Sequence, residues 1–579
     1  MKKQGSEVVV QRVRPVIYQL FPRLFANVNA NLVPNGRLQA NGSGKLNDIN
    51  ADVLNAISGM GITHIWYTGI IEHAHDADYT RYGIERHNHH IIKGRAGSPY
   101  AITDYYDIDP DLSVDVPRRM NEFEQLIERT AAAGMKTIID FVPNHVARQY
   151  HSDNAPDGVD DLGSGDNTEM FFTPTNNFYY ITRQQFSPIG IDLGDGDDAY
   201  TEFPARATGN DCFTAFPGVN DWYETVKLNY GVDPWNNSRH FDPIPNTWHK
   251  MLNILLFWAN KGVGGFRCDM AHMVPVEFWK WAIAKVKKDY PDIIFIAELY
   301  DVAIYRDYLY GGGFDYLYDK VNMYDTLRGI ECNNFSAAQL TSCWQTVEGI
   351  SDRMLNFIEN HDEQRFASSF FAGDAHKAIP HLVAAATISR GAVMIYNGQE
   401  LGEKGMDAEG FSGLDGRTTI FDYWSMETVR RWLGDNFTPS EDNLTPDEKK
   451  IRQQYAKILH LVNGERAIRE GAFFDLMYVN YDSPGLDPHR QFAYLRYCEE
   501  EYVLIVLNFD NVEYNADIKI PHHAFQLSGL PEGDMRCRDL LTGKTVILSL
   551  HPDRCVQLSV KPHGATILKF GVSKKNSQN

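Results

Sequence analysis

The chain has 579 residues, a hydrophobic content of 43% and a formal net charge of −21 at pH 7. Such a length exceeds what one hydrophobic core supports, so about two or three domains are expected. The acidic balance argues against nucleic acid as a partner, because phosphate binding needs clustered Lys and Arg side chains. A neutral substrate is more compatible with this composition.

The chain starts with a short basic segment, residues 1–7, that is not followed by the apolar stretch of a signal peptide. No later segment is apolar over a length that could span a bilayer. We therefore expect a cytoplasmic protein that has no membrane partner. The seven cysteines are scattered and lack metal-type spacing, which predicts free thiols.

Short apolar runs alternate with amphipathic stretches over most of the first 460 residues, which predicts parallel strands joined by crossover helices. Eight strands of this kind would close into a (β/α)8 TIM barrel. The predicted strands are residues 16–20, 62–67, 137–142, 265–268, 294–297, 316–318, 354–358 and 393–396.

Two regions depart from this rhythm. Gly, Asp, Asn and aromatic residues dominate between residues 145 and 246, a stretch too long for an ordinary loop, which predicts an irregular insertion domain after the third strand. Short strands with turn signals follow residue 471 and predict a C-terminal antiparallel β-sandwich. The expected division is barrel over residues 1–145 and 246–470, insertion over 146–245 and C-terminal domain over 471–579.

Three acidic residues, Asp269, Glu298 and Asp362, each end an apolar run that is typical of a buried strand. A carboxylate in such a place must be solvated by a cleft, a metal or a partner. Asp269 and Glu298 are 29 residues apart, about one strand–helix–strand repeat, so neighbouring strands could carry both to one rim. One such acid alone is more often a helix cap or an ion-pair partner. The three together indicate an active site, and two facing carboxyl groups are what glycosidic-bond chemistry requires.

Four segments resemble, in the same order, the hallmark motifs of the α-amylase family, glycoside hydrolase family 13. They are residues 140–145 (DFVPNH), 265–269 (GFRCD), 296–300 (IAELY) and 357–362 (FIENHD). Three more segments are similar to lesser motifs of the family: residues 98–106 (SPYAITDYY), 227–230 (KLNY) and 393–400 (VMIYNGQE). The resemblance runs from about residue 15 to the end of the chain.

The resemblance implies a retaining glycoside hydrolase that acts on α-1,4-glucans or maltooligosaccharides through a covalent glycosyl-enzyme intermediate. It assigns Asp269 as the nucleophile, Glu298 as the acid and base, and Asp362 as the acid that holds sugar hydroxyls. Arg267 precedes Asp269 by two residues and therefore points to the same side of its strand, where a guanidinium keeps the nucleophile ionised and oriented. The implied partner is an oligosaccharide or polysaccharide α-glucan.

The same resemblance implies roles for residues that could otherwise serve only in packing. Tyr100 matches the aromatic platform under the reacting sugar, and His145 and His361 match the family's sugar-binding histidines. Asn144 matches a calcium-ligating residue, so Ca²⁺ is a candidate cofactor that would fix the insertion to the barrel. No organic cofactor is expected.

Two segments depart from the family pattern. His272 and Met273 stand where many members carry Lys-His, and Lys227 stands where an acid is usual. Both changes lie where the family binds the acceptor or braces the insertion, so we interpret His272 and Lys227 as candidate acceptor-binding residues. An α-glucan transglycosylase, namely a glucanotransferase, a maltosyltransferase or a sucrose/trehalose-type isomerase, therefore remains an alternative. A catalytically inactive carbohydrate-binding protein is a third interpretation, which the retained acids and Arg267 disfavour.

Overall fold

The structure, a computed structural model, describes residues 13–405, 413–552 and 554–571. Eight parallel strands close into a barrel in which each strand pairs with the next and the last pairs with the first, which confirms the predicted fold class. In chain order, the barrel strands β1 to β8 are Val16–Leu20, His64–Tyr67, Lys136–Phe141, Gly265–Cys268, Ile294–Ala297, Tyr316–Tyr318, Met354–Asn356 and Ala392–Tyr396.

Alternation along these strands divides the apolar side chains between two layers. Ile17, Trp66, Ile138 and Met394 belong to a cluster that fills the barrel interior. Their sequence neighbours, such as Tyr18, point outward and join the larger core under the helices. The interior is therefore filled by side chains and is not a pore.

Helices cover the outside of the barrel because each buries one apolar stripe. In Arg119–Ala132, the buried residues Phe123, Leu126, Ile127 and Thr130 recur at helical spacing, as the sequence predicts. The longest helix starts with a capping box between Thr445 and Glu448. The helices of seven or more residues up to the end of the barrel are Ala51–Ser58, Arg119–Ala132, Asn246–Asn260, Val276–Asp289, Asp325–Cys332, Gln339–Thr346, Ala378–Thr387, Glu427–Leu433 and Pro446–Gly464.

The insertion is joined to the barrel by a short antiparallel ladder between His145–Ala147, just after β3, and Thr225–Lys227. A second ladder pairs Tyr180–Ile181 with Ala205–Arg206. The insertion has a small apolar core of its own, to which Ile91 from the loop after β2 contributes; its buried members are Ile91, Ile181, Phe186, Tyr200, Ala205, Ala215 and Tyr223. The insertion thus packs on both the β2 and β3 sides of the barrel rim.

The C-terminal region forms two antiparallel sheets, as expected for a β-sandwich. Buried residues of both sheets, such as Leu504 in the larger and Val560 in the smaller, belong to one core. Its strands, β9 to β16, are Ala472–Asp475, Gln491–Cys498, Glu501–Asn508, Tyr514–Lys519, Gly533–Asp539, Thr545–Leu550, Cys555–Val560 and Gly564–Gly571. Strands β12 and β15 form the smaller sheet, and the other six form the larger one.

Within the described residues, no helix combines the length and the apolar character needed to cross a membrane.

Gly265 lies where β3, β4 and β5 pack tightly inside the barrel. A Cβ at this position would come within 2.8 Å of Cγ1 of Ile294 and 3.0 Å of Cγ1 of Ile138. We predict that Gly265→Ala lowers the free energy of unfolding by about 1–3 kcal/mol, because the interior would be overpacked. Urea unfolding measures the change. The matched control is Gly165→Ala, where a Cβ meets nothing within 4 Å; equal stability of the two variants would contradict the prediction.

Candidate active site

The three predicted acids lie at the same rim of the barrel. Asp269 directly follows β4, and its N–H donates to the carbonyl of Phe141 at 2.9 Å. Glu298 directly follows β5, and its N–H donates to the carbonyl of Cys268 at 3.1 Å. Asp362 lies in the loop after β7. All three line one cavity of about 310 Å³, because the carboxyl ends of parallel strands meet at one edge of the barrel.

Arg267 is the cation beneath this cavity, and its side chain is only 1% exposed. Its Nη1 donates to Oδ1 of Asp269 at 2.7 Å, and its Nη2 lies 2.5 Å from Oε1 of Glu298. The guanidinium also faces the rings of Trp66 and Tyr100 at 5.2 and 5.3 Å. Burial alone would lower the pKa of Arg267, but the two carboxylates raise it well above its usual range. Arg267 is therefore charged whenever the fold is intact.

Glu298 is oriented by two donors besides Arg267. The hydroxyl of Tyr300 donates to Oε1 at 2.8 Å, and the backbone N–H of Met270 donates to Oε2 at 2.8 Å. Met270 has left-handed backbone angles, φ 43° and ψ 43°, which are unfavourable for a side chain of this kind. The strained residue directly after Asp269 is thus the one that turns its N–H toward Glu298.

Burial raises the pKa of two of the three acids. For Asp269 the nearby charge of Glu298 adds to the rise and Arg267 opposes it. For Asp362, burial and the charge of Glu298 raise the pKa to about 7. Asp362 is therefore partly protonated near neutral pH, whereas Arg267 favours the ionised form of Asp269.

His361, Tyr100 and Asp362 form a hydrogen-bonded group at the cavity. The amide nitrogen of Gln19 donates to Nδ1 of His361 at 2.7 Å, which places the imidazole proton on Nε2. Nε2 lies 2.5 Å from the hydroxyl of Tyr100 and 3.1 Å from Oδ2 of Asp362. Burial and then Arg267 lower the pKa of His361 well below its usual range, so the ring is neutral.

His145 also lines the cavity, with its ring 5.2 Å from that of Trp222. Burial lowers the pKa of His145 to about 3, so it too is neutral. Several cavity residues lie outside the segments that resemble family motifs, among them Trp222, Phe421 and the ion pair of Lys93 with Glu224 at 3.0 Å. The aromatic richness of the insertion was the signal for Trp222, whereas no pattern marked Phe421.

Asn144 and Lys227 contact each other where the insertion meets the barrel. Nζ of Lys227 donates to Oδ1 of Asn144 at 2.5 Å and to the carbonyl of Met273 at 3.3 Å, and it lies 2.7 Å from Oδ1 of Asp211. Three oxygens thus match the three donors of the ammonium. The oxygen through which Asn144 would ligate calcium thus accepts from Lys227, and the donors of Lys227 are engaged in turn. The calcium-ligating role of Asn144 and the acceptor-binding role of Lys227 stay predictions.

His272 lies beside the active cavity. Its ring is 5.9 Å from that of Tyr300, and it lines an adjoining cavity of about 520 Å³ between the insertion and the loop after β4. Burial lowers the pKa of His272, which favours the neutral ring. This position is compatible with acceptor binding, which stays a prediction.

Groups that could hold a metal ion do occur elsewhere. Among the described residues, three sets of side chains each bring their ligand atoms within 4.8 Å of one another: His89, His90 and Asp198; His75, Asp109 and Asp111; and Glu72, Asp107 and Asp153.

Comparison with known proteins identifies the family. The family model for the alpha amylase catalytic domain matches residues 19–176 and 243–460. Alpha-amylase 3 of Dictyoglomus thermophilum is 23% identical over 527 residues, which cover 87% of each chain. Neopullulanase 2 of Thermoactinomyces vulgaris is 24% identical over 405 residues, which cover 67% of this chain and 57% of the relative.

A solved structure supports the fold over nearly the whole chain. The crystal structure of a maltogenic alpha-amylase from Thermotoga neapolitana aligns with a TM-score of 0.62 at 20% identity, covering 96% of this chain and 99% of that one. The family model itself spans more than half of the sequence and includes β4, β5 and β7, the strands that the three acids follow. The chain belongs to the α-amylase family.

Proposed function

We propose that this chain is a retaining glycoside hydrolase that cleaves α-1,4 bonds in glucans or maltooligosaccharides. The observation that carries the proposal is the single guanidinium of Arg267, which lies 2.7 Å from Asp269 and 2.5 Å from Glu298. Two carboxyl groups held by one guanidinium fit the spacing of about 5–5.5 Å used by retaining enzymes better than the about 6.5–9.5 Å that leaves room for an attacking water. Family membership supports the class of substrate.

In this mechanism Arg267 holds Oδ1 of Asp269, and the other oxygen attacks the anomeric carbon. Glu298 gives its proton to the glycosidic oxygen as the bond to the leaving sugar breaks, and a covalent glycosyl ester forms on Asp269. Glu298 then accepts a proton from water, whose oxygen bonds to the anomeric carbon and releases Asp269.

Asp362, His361 and Tyr100 are the residues to which we assign substrate positioning. The Nε2–H of His361 is a donor and the carboxylate of Asp362 is an acceptor, so the pair matches vicinal sugar hydroxyls. The ring of Tyr100 provides a flat apolar face beside them. Interactions that strengthen as the ring distorts would lower the barrier rather than only tighten binding.

We predict that the first product formed from a maltooligosaccharide is the α anomer, because two inversions at one carbon give net retention. Proton NMR during the first minutes of reaction measures this, and a β-anomeric product would contradict the proposal.

Asp269→Asn should lower kcat by at least about a thousandfold, since no covalent step remains. Its melting temperature must stay near that of the wild type for the loss to be assigned to chemistry.

A second candidate function, transfer to a sugar, is favoured by the cavity of about 520 Å³ that adjoins the active cavity at His272. A sugar held there could accept the glycosyl group from Asp269 in place of water. Water competes at about 55 M, so transfer dominates only if bound acceptor has a higher effective molarity.

Incubation with maltotriose at high concentration distinguishes the two functions. We expect only shorter sugars, which hydrolysis produces. Products longer than maltotriose that disappear in His272→Ala, but persist in the control His249→Ala on the exposed side of the helix Asn246–Asn260, would favour transfer. Chromatography of the products over time gives the answer.

The residues around Asn144 do not fit a calcium ion, because the ammonium of Lys227 already satisfies the buried oxygen that the ion would use. Lys227 is 7% exposed and joins three parts of the chain: Asn144 after β3, Asp211 in the insertion and Met273 after β4. We assign the role of tying the insertion to the rim to this ammonium, and no step of the reaction passes through a metal.

Lys227→Met should therefore lower the free energy of unfolding by about 1–3 kcal/mol, because the buried oxygen of Asn144 loses its donor. The control Lys261→Met removes a half-buried pair with Glu124 and should cost less. Calcium added to chelator-treated wild-type protein should leave the melting temperature unchanged. A calcium-dependent rise in the wild type that is lost in Asn144→Ala would contradict this assignment.

A further inference from the structure

A His-His-Asp group lies where the loop after β2 meets the insertion. His89 and His90 belong to the short helical turn His89–Ile91, and Asp198 ends the turn Gly196–Asp198 of the insertion. Asn88 connects the two turns, because its Oδ1 accepts from the N–H of His90 at 2.9 Å and its Nδ2 donates to the carbonyl of Asp198 at 2.8 Å. The three side chains are therefore brought together by the backbone around them.

The distances within this group are long for hydrogen bonds. Nε2 of His90 lies 3.5 Å and Nε2 of His89 lies 3.8 Å from the same atom, Oδ2 of Asp198. Hydrogen bonds of this type span about 2.7–3.2 Å. Ligands of a tetrahedral zinc ion, bound at about 2.0–2.1 Å, are roughly 3.3 Å from one another. The observed separations are thus closer to those of atoms that share an ion.

The arrangement and exposure of the three side chains also favour a bound ion. The rings of His89 and His90 lie side by side, with centroids 4.1 Å apart, so that both can present Nε2 to one point. A Cβ at Gly194 would come within 2.4 Å of Nε2 of His90, so the close approach of this loop to the imidazole requires glycine. The side chain of Asp198 is 64% exposed, which gives an ion a route in and leaves room for water as a fourth ligand.

We propose that His89, His90 and Asp198 form a binding site for a divalent transition-metal ion of the zinc class. Two imidazoles and one carboxylate suit Zn²⁺, Co²⁺ or Ni²⁺, whereas Ca²⁺ takes six to eight oxygen ligands. The site lies outside the cavity that holds Asp269 and Glu298, and it is independent of the proposed function.

The buried group of His75, Asp109 and Asp111 differs from the His-His-Asp group, because its atoms are at hydrogen-bond distances from protein donors. The hydroxyls of Tyr79 and Tyr423 donate to the two oxygens of Asp111 at 2.7 and 2.6 Å. His73 lies 3.0 Å from Asp109. These are hydrogen-bond distances, so the carboxylates there are used by protein donors.

An ion at the His-His-Asp site would connect the insertion to the segment that forms the cleft wall. Ile91, next to His90, packs in the insertion's core. Lys93, two residues further, pairs with Glu224 at 3.0 Å where both line the active cavity. Metal binding would therefore stabilise the insertion in its docked position and raise the melting temperature.

Calorimetric titration of Zn²⁺ into chelator-treated full-length protein, with a reductant that does not bind metal, tests the proposal. We expect one saturable site per chain, with the affinity lowered at least about tenfold in His90→Gln and in Asp198→Asn. The matched control is His376→Gln, because His376 also faces a carboxylate, that of Asp447 at 3.9 Å, but belongs to none of the three groups found among the described residues. That variant should bind zinc as the wild type does.

Thermal unfolding supplies a second readout. Saturating Zn²⁺ should raise the melting temperature of the wild type and of His376→Gln, and the rise should be absent in His90→Gln. Absence of a one-to-one site in the wild type would overturn the proposal. So would a site of unchanged affinity in His90→Gln and Asp198→Asn, since the ion would then be held elsewhere, for example by a free cysteine such as Cys555.

Discussion

The guanidinium of Arg267 is the interaction on which the site depends. A cation at 1% exposure is costly to desolvate, and its stability requires Asp269, Glu298 and the surrounding rings at the same time. Removal of one carboxylate would leave the charge without full compensation. The register of the barrel fixes this arrangement, because Arg267 pairs with Asp140 on β3 and with Ile296 on β5. The same packing that closes the barrel thus sets the distance between nucleophile and acid.

Most of the barrel and the three acids were predictable from sequence for a local reason. A buried parallel strand needs a largely apolar run, and its end is marked by the first acidic residue, as at Asp269 and Glu298. Parallel strands bring such ends together whatever the loops do. Helices were visible for a similar reason, since the stripe of Phe123, Leu126 and Ile127 has one periodicity over the whole element. The limits of the domains stay predictions.

The contacts within the insertion could not be predicted from the sequence, because they join residues that are far apart in the chain and follow no periodic pattern. The partner of Asn144 is Lys227, 83 positions away, and no local signal distinguishes an ammonium there from a metal ion. Trp222 reaches the cavity only because Thr225–Lys227 pairs with His145–Ala147. Asp198 was one of several acids in a polar loop, and its place beside His90 follows from a hydrogen bond to Asn88. In such a region the sequence shows which residue types are present, but it does not show which residues contact one another.

The barrel and the insertion make different contributions to the cleft. Bond cleavage depends on residues at the strand ends, and packing on both faces of the strands fixes the positions of these ends. The wall that a leaving group or acceptor meets depends on the insertion, which is held by a short ladder, a small apolar core and polar contacts such as that of Lys227 with Met273. Changes in the insertion can therefore alter which sugar occupies the cavity at His272 while Arg267, Asp269 and Glu298 keep their geometry. Within one family, acceptor preference is then expected to vary more readily than the covalent step.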